Sequence, residues 1–423
     1  MRRSVIVILD GLRRDMVSAE TTPRLAEFAR SATWFDRHRA VFPSTTRVSS
    51  ACIATGCFPR RHELAGNSLV LVEDGRLTLH DAGLPTFLQH KRRVTGRTLG
   101  MPTLAERLAD NGGAIVMSNV SPGAAYAHDP DGHGHVYHRA GSFGPGRLRV
   151  AEPDALAIGR DIAGDRQMTK RFVDDVLMQR QPALAVLWLG HPDTTQHAVP
   201  LGSPAHLAAL AQADGHAGQV MDAVDRLRDE GDDILLMVGS DHGHQTIGGS
   251  VDVSAALVDA RLKVAEDSDD VVVAANGTAA LIYVAPGAQA RTPEIADFLA
   301  AQPWAEQIIA GADLASVGQN GGHGLAVAVS LAASDEANAH GVPGTSLVAA
   351  PRGHKAVPIG CGQHGGLGRY EQAPTLMISG PGFDAGTVRH VDTSLVDLAP
   401  TVLKHLGLPH GGLDGRPQQM DPT

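Results

Sequence analysis

Residues 6–11 read Ile-Val-Ile-Leu-Asp-Gly, an uninterrupted apolar run that stops at Asp10. A run of this kind is typical of a strand that is buried on both faces, as in a parallel sheet. In open α/β sheets, binding sites form just outside the carboxyl ends of the strands. We therefore interpret Asp10 as a site residue at the carboxyl edge of a parallel sheet.

Other carboxylate and imidazole groups occupy similar places further along the chain. They follow the apolar runs 183–189 and 233–239 or lie in a Gly-rich segment: Asp193, His197, Asp241, His242 and His364. Asp193 and His197 stand four residues apart, which places both side chains on one face of a helical turn. Because the carboxyl ends of parallel strands share one edge of a sheet, we predict that these residues and Asp10 form a single site.

The order of the predicted elements indicates an α/β fold. Strands at 4–9, 114–117, 183–189, 233–239 and 374–379 alternate with helices that include 161–179 and 206–230. Such alternation predicts a doubly wound, mostly parallel sheet with helices on both faces. Between residues 252 and 350 short strands surround one helix, which we interpret as a small α+β lid insertion. The predicted domains are a catalytic core at 1–251, the lid at 252–350 and a return to the core at 351–423.

Composition bears on partners and compartment. The 423 residues carry a net charge of −10, which gives no electrostatic basis for binding a nucleic-acid polymer. No run approaches the roughly 18 apolar residues of a membrane helix, and the apolar run after Arg3 is too short for a signal peptide. Three cysteines are too few for a disulfide framework. We expect a cytoplasmic protein without membrane association; its oligomeric state stays open, with a homo-oligomer among the alternatives.

The types of residue in the predicted site indicate a metal centre. Carboxylate oxygens together with imidazole nitrogens favour Zn²⁺, and Mn²⁺ or Fe²⁺ accept the same ligands. A threonine hydroxyl needs a base or a metal to act as a nucleophile, and no histidine adjoins Thr46 in the sequence. Two cations about 4 Å apart would hold the attacking and leaving oxygens of an in-line phosphoryl displacement. Thr46 also begins a predicted helix, where free backbone N–H groups favour an anion.

The segments around these residues follow a recognisable order. They are Ile8-Leu9-Asp10-Gly11, Phe42-Pro43-Ser44-Thr45-Thr46, Ala54-Thr55-Gly56, Asp193 to His197, Asp241-His242-Gly243 and His364-Gly365. Taken together they resemble the alkaline phosphatase superfamily and, within it, the nucleotide pyrophosphatase/phosphodiesterase branch. The resemblance implies an alkaline phosphatase-like fold and two divalent cations. The implied ligands are Asp10, Thr46, Asp241 and His242 for the first cation, and Asp193, His197 and His364 for the second.

The same resemblance implies a function. Thr46 would be the nucleophile of a phosphodiesterase-like hydrolase and would form a phospho-threonine, with Thr45 as its rival. Asn67, which lies 21 residues beyond Thr46, would donate to a phosphoryl oxygen. The expected substrate is a small phosphate ester or a phosphonate, and no organic cofactor is expected.

One position departs from the resemblance. Members of the branch usually carry Phe-Pro-Asn-His after the nucleophile, and the aromatic ring helps to hold a nucleoside, whereas Arg47-Val48-Ser49-Ser50 stands here. An arginine beside the nucleophile favours a substrate with an additional negative charge. Arg47 is therefore a third candidate catalytic residue, and a phosphonoacetate-type phosphonate hydrolase or a phosphomonoesterase is the alternative function.

Three other interpretations concern different classes of protein or segment. A metal-binding scaffold without turnover would keep the ligands but not need Thr46. Residues 57–61 satisfy the sulfatase pattern Cys-x-Pro-x-Arg, yet Cys57 lies 11 residues past Thr46, where the family has a turn. The Gly-, Pro- and His-rich residues 121–146 are predicted to form a long surface loop with most of its histidines exposed.

Overall fold

The fold is built on a central sheet of eight strands. The computed structural model describes residues 2–350 and 358–420. In spatial order, the strands of the central sheet are Thr387–Arg389, Thr33–Phe35, Leu376–Ser379, Asp233–Gly239, Arg2–Leu9, Leu184–Leu189, Ala114–Ser118 and His135–Tyr137. Only Leu376–Ser379 runs antiparallel to its two neighbours, so the predicted mostly parallel sheet is confirmed.

The three middle strands set the position of the site. Arg2–Leu9 lies between Asp233–Gly239 and Leu184–Leu189 and pairs with both in parallel. The register places Leu9 opposite Leu189 and Ile8 opposite Gly239, so the three strands end nearly level. Residues that come after these strands therefore emerge side by side at one edge.

Helices cover both faces of the sheet, as alternation along the first strand requires. Ile6 and Ile8 belong to the core beneath the helix Thr46–Thr55, while Val5 and Val7 pack beneath the long helix Pro204–Asp229. The other α-helices are Pro23–Phe28, Pro59–His62, Phe87–Thr95, Leu104–Arg107, Pro122–Ala127, Ile162–Arg171, Asp193–Gln196, Val253–Asp259, Thr292–Ala300 and Leu398–His405, and a π-helix, Phe172–Arg180, continues from Ile162–Arg171. In residues 2–350 and 358–420, no helix is both long and apolar enough to cross a bilayer.

The predicted lid region contains a separate antiparallel sheet. Its strands, in spatial order, are Val271–Asn276, Ala279–Val284, Leu325–Leu331 and Ala305–Ala310. Ile295 and Leu299 of the helix Thr292–Ala300 belong to the same hydrophobic core as this sheet. A third sheet joins Ala333–Ala337, Pro343–Ala349, Gln245–Val251 and Gly362–Gln363, so it includes strands on both sides of the predicted boundaries. Residues 351–357 lie outside the described residues, and the division 1–251, 252–350 and 351–423 stays a prediction.

The prediction of a surface loop at 121–146 is wrong. This segment contains the helix Pro122–Ala127 and the edge strand His135–Tyr137. His138 is fully buried, and its Nε2 atom lies 3.0 Å from the carbonyl oxygen of Val120. His128 is also buried, edge-on to the ring of Trp188 at 5.6 Å. His128 and His138 therefore pack into the core, whereas His133 is exposed as predicted.

Candidate metal centre

Two carboxylates and one imidazole form the first cluster at the carboxyl edge of the sheet. Asp10 follows the strand Arg2–Leu9, and Asp241 and His242 follow Asp233–Gly239. The Nε2 atom of His242 lies 3.5 Å from Oδ1 of Asp10 and 3.1 Å from Oδ2 of Asp241. All three side chains are at least 99% buried, so two carboxylates and an imidazole are crowded together away from the surface.

In each carboxylate of this cluster one oxygen accepts a hydrogen bond and the other has no partner. The indole N–H of Trp188 donates to Oδ2 of Asp10 at 3.0 Å, and the backbone N–H of Gly11 donates to Oδ1 of Asp241 at 3.1 Å. The other two oxygens, Oδ1 of Asp10 and Oδ2 of Asp241, are buried and have no hydrogen-bond partner in the described part of the chain. Buried carboxylate oxygens of this kind are costly unless a cation compensates them.

Thr46 lies against this cluster. It is the first residue of the helix Thr46–Thr55, and its Oγ1 lies 3.3 Å from Nε2 of His242. Thr45, the residue at the N-cap, also has a buried side chain, but its hydroxyl has no hydrogen-bond partner among residues 2–350 and 358–420. Of the two threonines, Thr46 is thus the one whose hydroxyl contacts a predicted metal ligand.

A second cluster surrounds Asp193. Around its Oδ1 atom, Nε2 of His197 lies at 3.1 Å and Nε2 of His364 at 3.5 Å. Asp193 begins a short helical turn, Asp193–Gln196, and His197 follows that turn, so the four-residue spacing brings the two side chains together. His364 comes from a distant part of the chain, after the strand Gly362–Gln363.

The two clusters are in direct contact. The rings of His242 and His364 are stacked, with centroids 3.5 Å apart and planes inclined by 15°. All six predicted metal-ligating side chains other than Thr46 therefore lie together, three in each cluster.

A fourth histidine of this region, His244, is absent from the ligands predicted from the sequence. It is fully buried, and its Nε2 lies 2.9 Å from Oδ1 of Asp193, closer than either predicted imidazole ligand. The signal was present in the sequence, since Asp241-His242-Gly243-His244 carries a second histidine two residues after the first. Burial lowers the pKa of His244 to about 3, so its ring is neutral.

Asn67 lies beside the start of the Thr46 helix. Its Oδ1 accepts a hydrogen bond from the backbone N–H of Arg47 at 3.1 Å. The backbone N–H of Asn67 in turn donates to Oδ1 of Asn276 at 2.7 Å. The contact to Oδ1 orients the side-chain amide, and within the described ranges its Nδ2 group has no protein acceptor. Asn67 thus presents a donor close to Thr46.

A family of known proteins shares the sequence pattern of this chain. The sequence profile described as "Type I phosphodiesterase / nucleotide pyrophosphatase" matches residues 4–310. The chain belongs to this family. It is therefore a metal-dependent hydrolase of the alkaline phosphatase superfamily, which confirms the resemblance drawn from its motifs. A search of curated protein sequences returned no match.

Solved structures with the same fold include relatives of this phosphodiesterase family. Mouse ectonucleotide pyrophosphatase/phosphodiesterase 5 superposes with a TM-score of 0.68 at 17% identity, covering 98% of this chain and 97% of that chain. An inactive threonine-to-alanine variant of the mouse protein, in complex with AMP, gives 0.67 at 17% identity with the same coverage. The human protein gives 0.68 at 16% identity, again covering 98% and 97%.

The electrostatics of the phosphodiesterase-family site also fit bound cations. Burial, followed by the charges of Asp241 and Asp193, raises the pKa of Asp10 well above its usual value. Burial is likewise the main cause that raises the pKa of Asp241 to about 7. Carboxylates crowded in this way repel one another, and a divalent cation reverses that effect by stabilising their ionised forms.

Arg47 has an unusual position for a cation next to the nucleophile. Its guanidinium packs on Gly83, where an added Cβ would come within 2.1 Å of Nη2. Its nearest carboxylate oxygen, Oδ1 of Asp81, is 3.8 Å from Nη2, and its Nε is buried without a hydrogen-bond partner in the described residues. Burial lowers the pKa of Arg47, while Asp81, Asp193 and Asp10 act against that change. Arg47 therefore retains an unused buried donor near the site.

Two other groups of potentially reactive or metal-binding side chains, one suggested by the sequence and one found in the structure, do not join the site. The Cys57 side chain is buried, and burial raises the pKa of its thiol, which does not suit a reactive cysteine. His80 and His90 form a third cluster with Glu73, and each Nε2 lies 2.7 Å from Oε1 of Glu73. These are ordinary hydrogen-bond distances. Two imidazole N–H groups that donate to one half-exposed carboxylate explain this cluster without a metal.

Proposed function

We propose that this chain hydrolyses small phosphodiesters through Thr46, with two divalent cations bound at the paired clusters. The observation that carries the proposal is the pair of unpartnered buried oxygens on Asp10 and Asp241 beside the Thr46 hydroxyl. Buried carboxylate oxygens that face an imidazole nitrogen match the ligand geometry of a catalytic cation.

The proposed ligands follow from the free atoms of each cluster. The first cation would take Oδ1 of Asp10, Oδ2 of Asp241, Nε2 of His242 and Oγ1 of Thr46. The second would take Asp193, His197 and His364. This mixture of oxygen and imidazole ligands favours Zn²⁺, and Mn²⁺ or Fe²⁺ accept the same set.

When bound, such cations lower the pKa of a coordinated hydroxyl and neutralise phosphoryl charge. The protein's own part is to place Oγ1 of Thr46 in line with phosphorus. A bond then forms between Oγ1 and phosphorus while the bond to the leaving oxygen breaks, giving a phospho-threonine. Water next cleaves that Oγ1–phosphorus bond and releases the phosphate monoester. Thr46 is returned to its starting state.

Asn67 is proposed to stabilise the charge that develops on the phosphoryl oxygens. Its Oδ1 is occupied by the backbone N–H of Arg47, which turns Nδ2 into the free end of the amide. A preorganised donor aimed at a developing negative charge is worth more in a water-excluded pocket than in water. Asn67 would therefore contribute to turnover rather than to metal binding.

Small nucleotide diesters and pyrophosphates are the leading substrate class. The family's description names phosphodiesters and nucleotide pyrophosphates. In the structural relative, loss of a threonine accompanies an inactive protein that holds AMP. These two facts support, for this chain, a threonine-dependent reaction that yields a nucleoside monophosphate.

Arg47 favours a second candidate, a substrate that carries an additional anionic group. Its buried Nε lacks a partner in the described part of the chain, and its ion pair with Asp81 is long at 3.8 Å. A guanidinium recognises phosphate or carboxylate through paired N–H donors. A phosphomonoester, or a carboxylated phosphonate such as phosphonoacetate, would supply the acceptor that Arg47 lacks.

One experiment tests the nucleophile and the substrate class together. Rates would be measured on a p-nitrophenyl phosphodiester, p-nitrophenyl phosphate and phosphonoacetate for wild type, Thr46→Ala and Thr45→Ala, with metal content measured for each. We expect Thr46→Ala to lose at least ~10³-fold in turnover, with Thr45→Ala, the matched control, close to wild type. Turnover by Thr46→Ala with metal still bound would refute Thr46 as the nucleophile. Arg47→Ala lowering monoester or phosphonate hydrolysis more than diester hydrolysis would favour the second candidate.

A further inference from the structure

Three of the four histidines in the metal centre share one hydrogen-bond pattern. The Nδ1 atom of His242 faces the carbonyl oxygen of Gly243 at 3.1 Å, and that of His197 faces Gly362 at 3.1 Å. The Nδ1 atom of His364 lies 2.7 Å from the carbonyl oxygen of Ser44. A carbonyl only accepts, so each Nδ1 carries the proton. Each Nε2 therefore has a free lone pair, as a metal ligand requires.

His244 shows the opposite pattern. Its Nδ1 is buried and has no hydrogen-bond partner within residues 2–350 and 358–420. Its Nε2 lies 2.9 Å from Oδ1 of Asp193. A carboxylate oxygen only accepts, and in contrast to the other three rings no acceptor faces Nδ1 to hold the proton there. The ring proton therefore lies on Nε2, which donates to Asp193 and has no lone pair left for a cation.

The protein holds the His244 ring in this orientation. An added Cβ on Gly11 would lie 2.7 Å from Nε2, and one on Gly362 would lie 2.8 Å from Nδ1. The ring thus fits between two glycine backbones that have no room for a side chain. The rings of His197 and His364 contact it at centroid distances of 5.0 and 4.9 Å. A ring that is confined on these sides keeps one orientation.

We propose that His244 is a positioning residue of the second metal site. It orients the Asp193 carboxylate, a ligand of the second cation, and does not itself ligate the metal. This inference rests on the proposed two-metal site. By donating to Oδ1, His244 fixes the rotation of the Asp193 carboxylate relative to His197 and His364. Outer partners of metal ligands typically contribute about 10- to 100-fold to metal affinity. The first cation, held by another set of residues, has no such dependence on His244.

Two variants separate a donor from a ligand. His244→Gln keeps an N–H donor, whereas His244→Leu removes it with a similar side-chain size. Each chelator-treated protein would be titrated with Zn²⁺ against a chromophoric chelator, and bound zinc would be counted by mass spectrometry. We expect two sites in wild type, a second site weakened about 10- to 100-fold in His244→Leu, and a much smaller loss in His244→Gln. The affinity of the first site serves as the internal control in every protein.

Each alternative outcome is distinct. An equal loss in His244→Gln and His244→Leu would show that His244 is itself a ligand and would overturn the inference. Unchanged second-site affinity in both variants would overturn it as well, while leaving the two-metal proposal intact. Fewer than two sites in wild type would refute the proposed function and the inference together. Should His244→Leu not fold, His244→Met, an unbranched variant without the donor, replaces it.

Discussion

Asp241 should destabilise the folded state of the metal-free protein, and the loss of stability should grow as the pH rises. Burial raises the pKa of Asp241 from its ordinary 3.8 to about 7. Between these values the folded state keeps a proton that the unfolded state has lost, so this residue lowers stability as the pH rises. One pKa unit corresponds to about 1.4 kcal/mol, which gives a cost of about 2 kcal/mol at pH 5 and on the order of 4 kcal/mol at pH 8.

The Asp241→Asn variant isolates this effect. Its neutral amide does not ionise, so the stability of the variant relative to wild type should increase by on the order of 2 kcal/mol from pH 5 to pH 8. Removing the Asp241 charge also relieves Asp10, whose raised pKa depends in part on that charge. The comparison must be differential, because His38 and His62, whose pKa values burial lowers to about 3, increase stability as the pH rises toward 6.5.

The measurement is urea unfolding of both proteins in excess chelator at pH 5 and pH 8. Adding Zn²⁺ at pH 8 should reverse the order, because wild type gains stability from a ligand that binds only its folded state, whereas Asp241→Asn lacks one ligand. A difference between the two proteins that stays constant with pH would refute the reasoning. An unfolding free energy of metal-free wild type that increases relative to that of the variant as the pH rises would also refute it.

Three further substitutions test the surroundings of the site. Asn67→Ala should lower turnover about 10²- to 10³-fold while metal content stays at the wild-type level; a matching loss of metal would contradict its proposed role. Trp188→Phe removes the donor to Oδ2 of Asp10 and should lower the affinity of the first site for its cation about 10- to 100-fold in a chelator competition. Unchanged affinity would contradict this role of Trp188. Gly11→Ala places a Cβ 2.7 Å from His244 at a backbone φ of +72°, so it should lower unfolding free energy by at least about 1 kcal/mol in urea titrations; wild-type stability would show that the ring can move.

The clustering of the candidate site residues could be predicted because it depends on topology more than on detailed packing. Asp10, Asp193 and Asp241 each come after a buried run, and parallel strands bring the residues beyond their carboxyl ends to one edge. The structure confirms the parallel pairing of all three strands. A motif near a strand end is therefore informative even when its partners lie far away in the sequence.

The role of His244 and the burial of two histidines in residues 121–146 could not be predicted, because they depend on contacts between individual atoms. His244 has the residue type and sequence position of a ligand, yet the orientation of its ring nitrogens separates it from His242. The prediction that residues 121–146 form an exposed loop failed for a related reason. A Gly-, Pro- and His-rich composition is typical of exposed loops, but it does not reveal that His138 finds the carbonyl of Val120 inside the core.

The three proposed acidic ligands share an arrangement through which residues other than the ligands would also contribute to metal affinity. Each carboxylate accepts a hydrogen bond from a residue outside the proposed ligand set: Asp10 from Trp188, Asp241 from Gly11 and Asp193 from His244. These donors come from a side chain in a neighbouring strand, a backbone N–H and a buried imidazole. A donor holds the carboxylate at a fixed rotation even before a cation arrives, so less ordering remains to oppose metal binding. Two chains with identical ligands can therefore differ in metal affinity, and we propose Trp188 and His244 as the residues through which this chain sets its own.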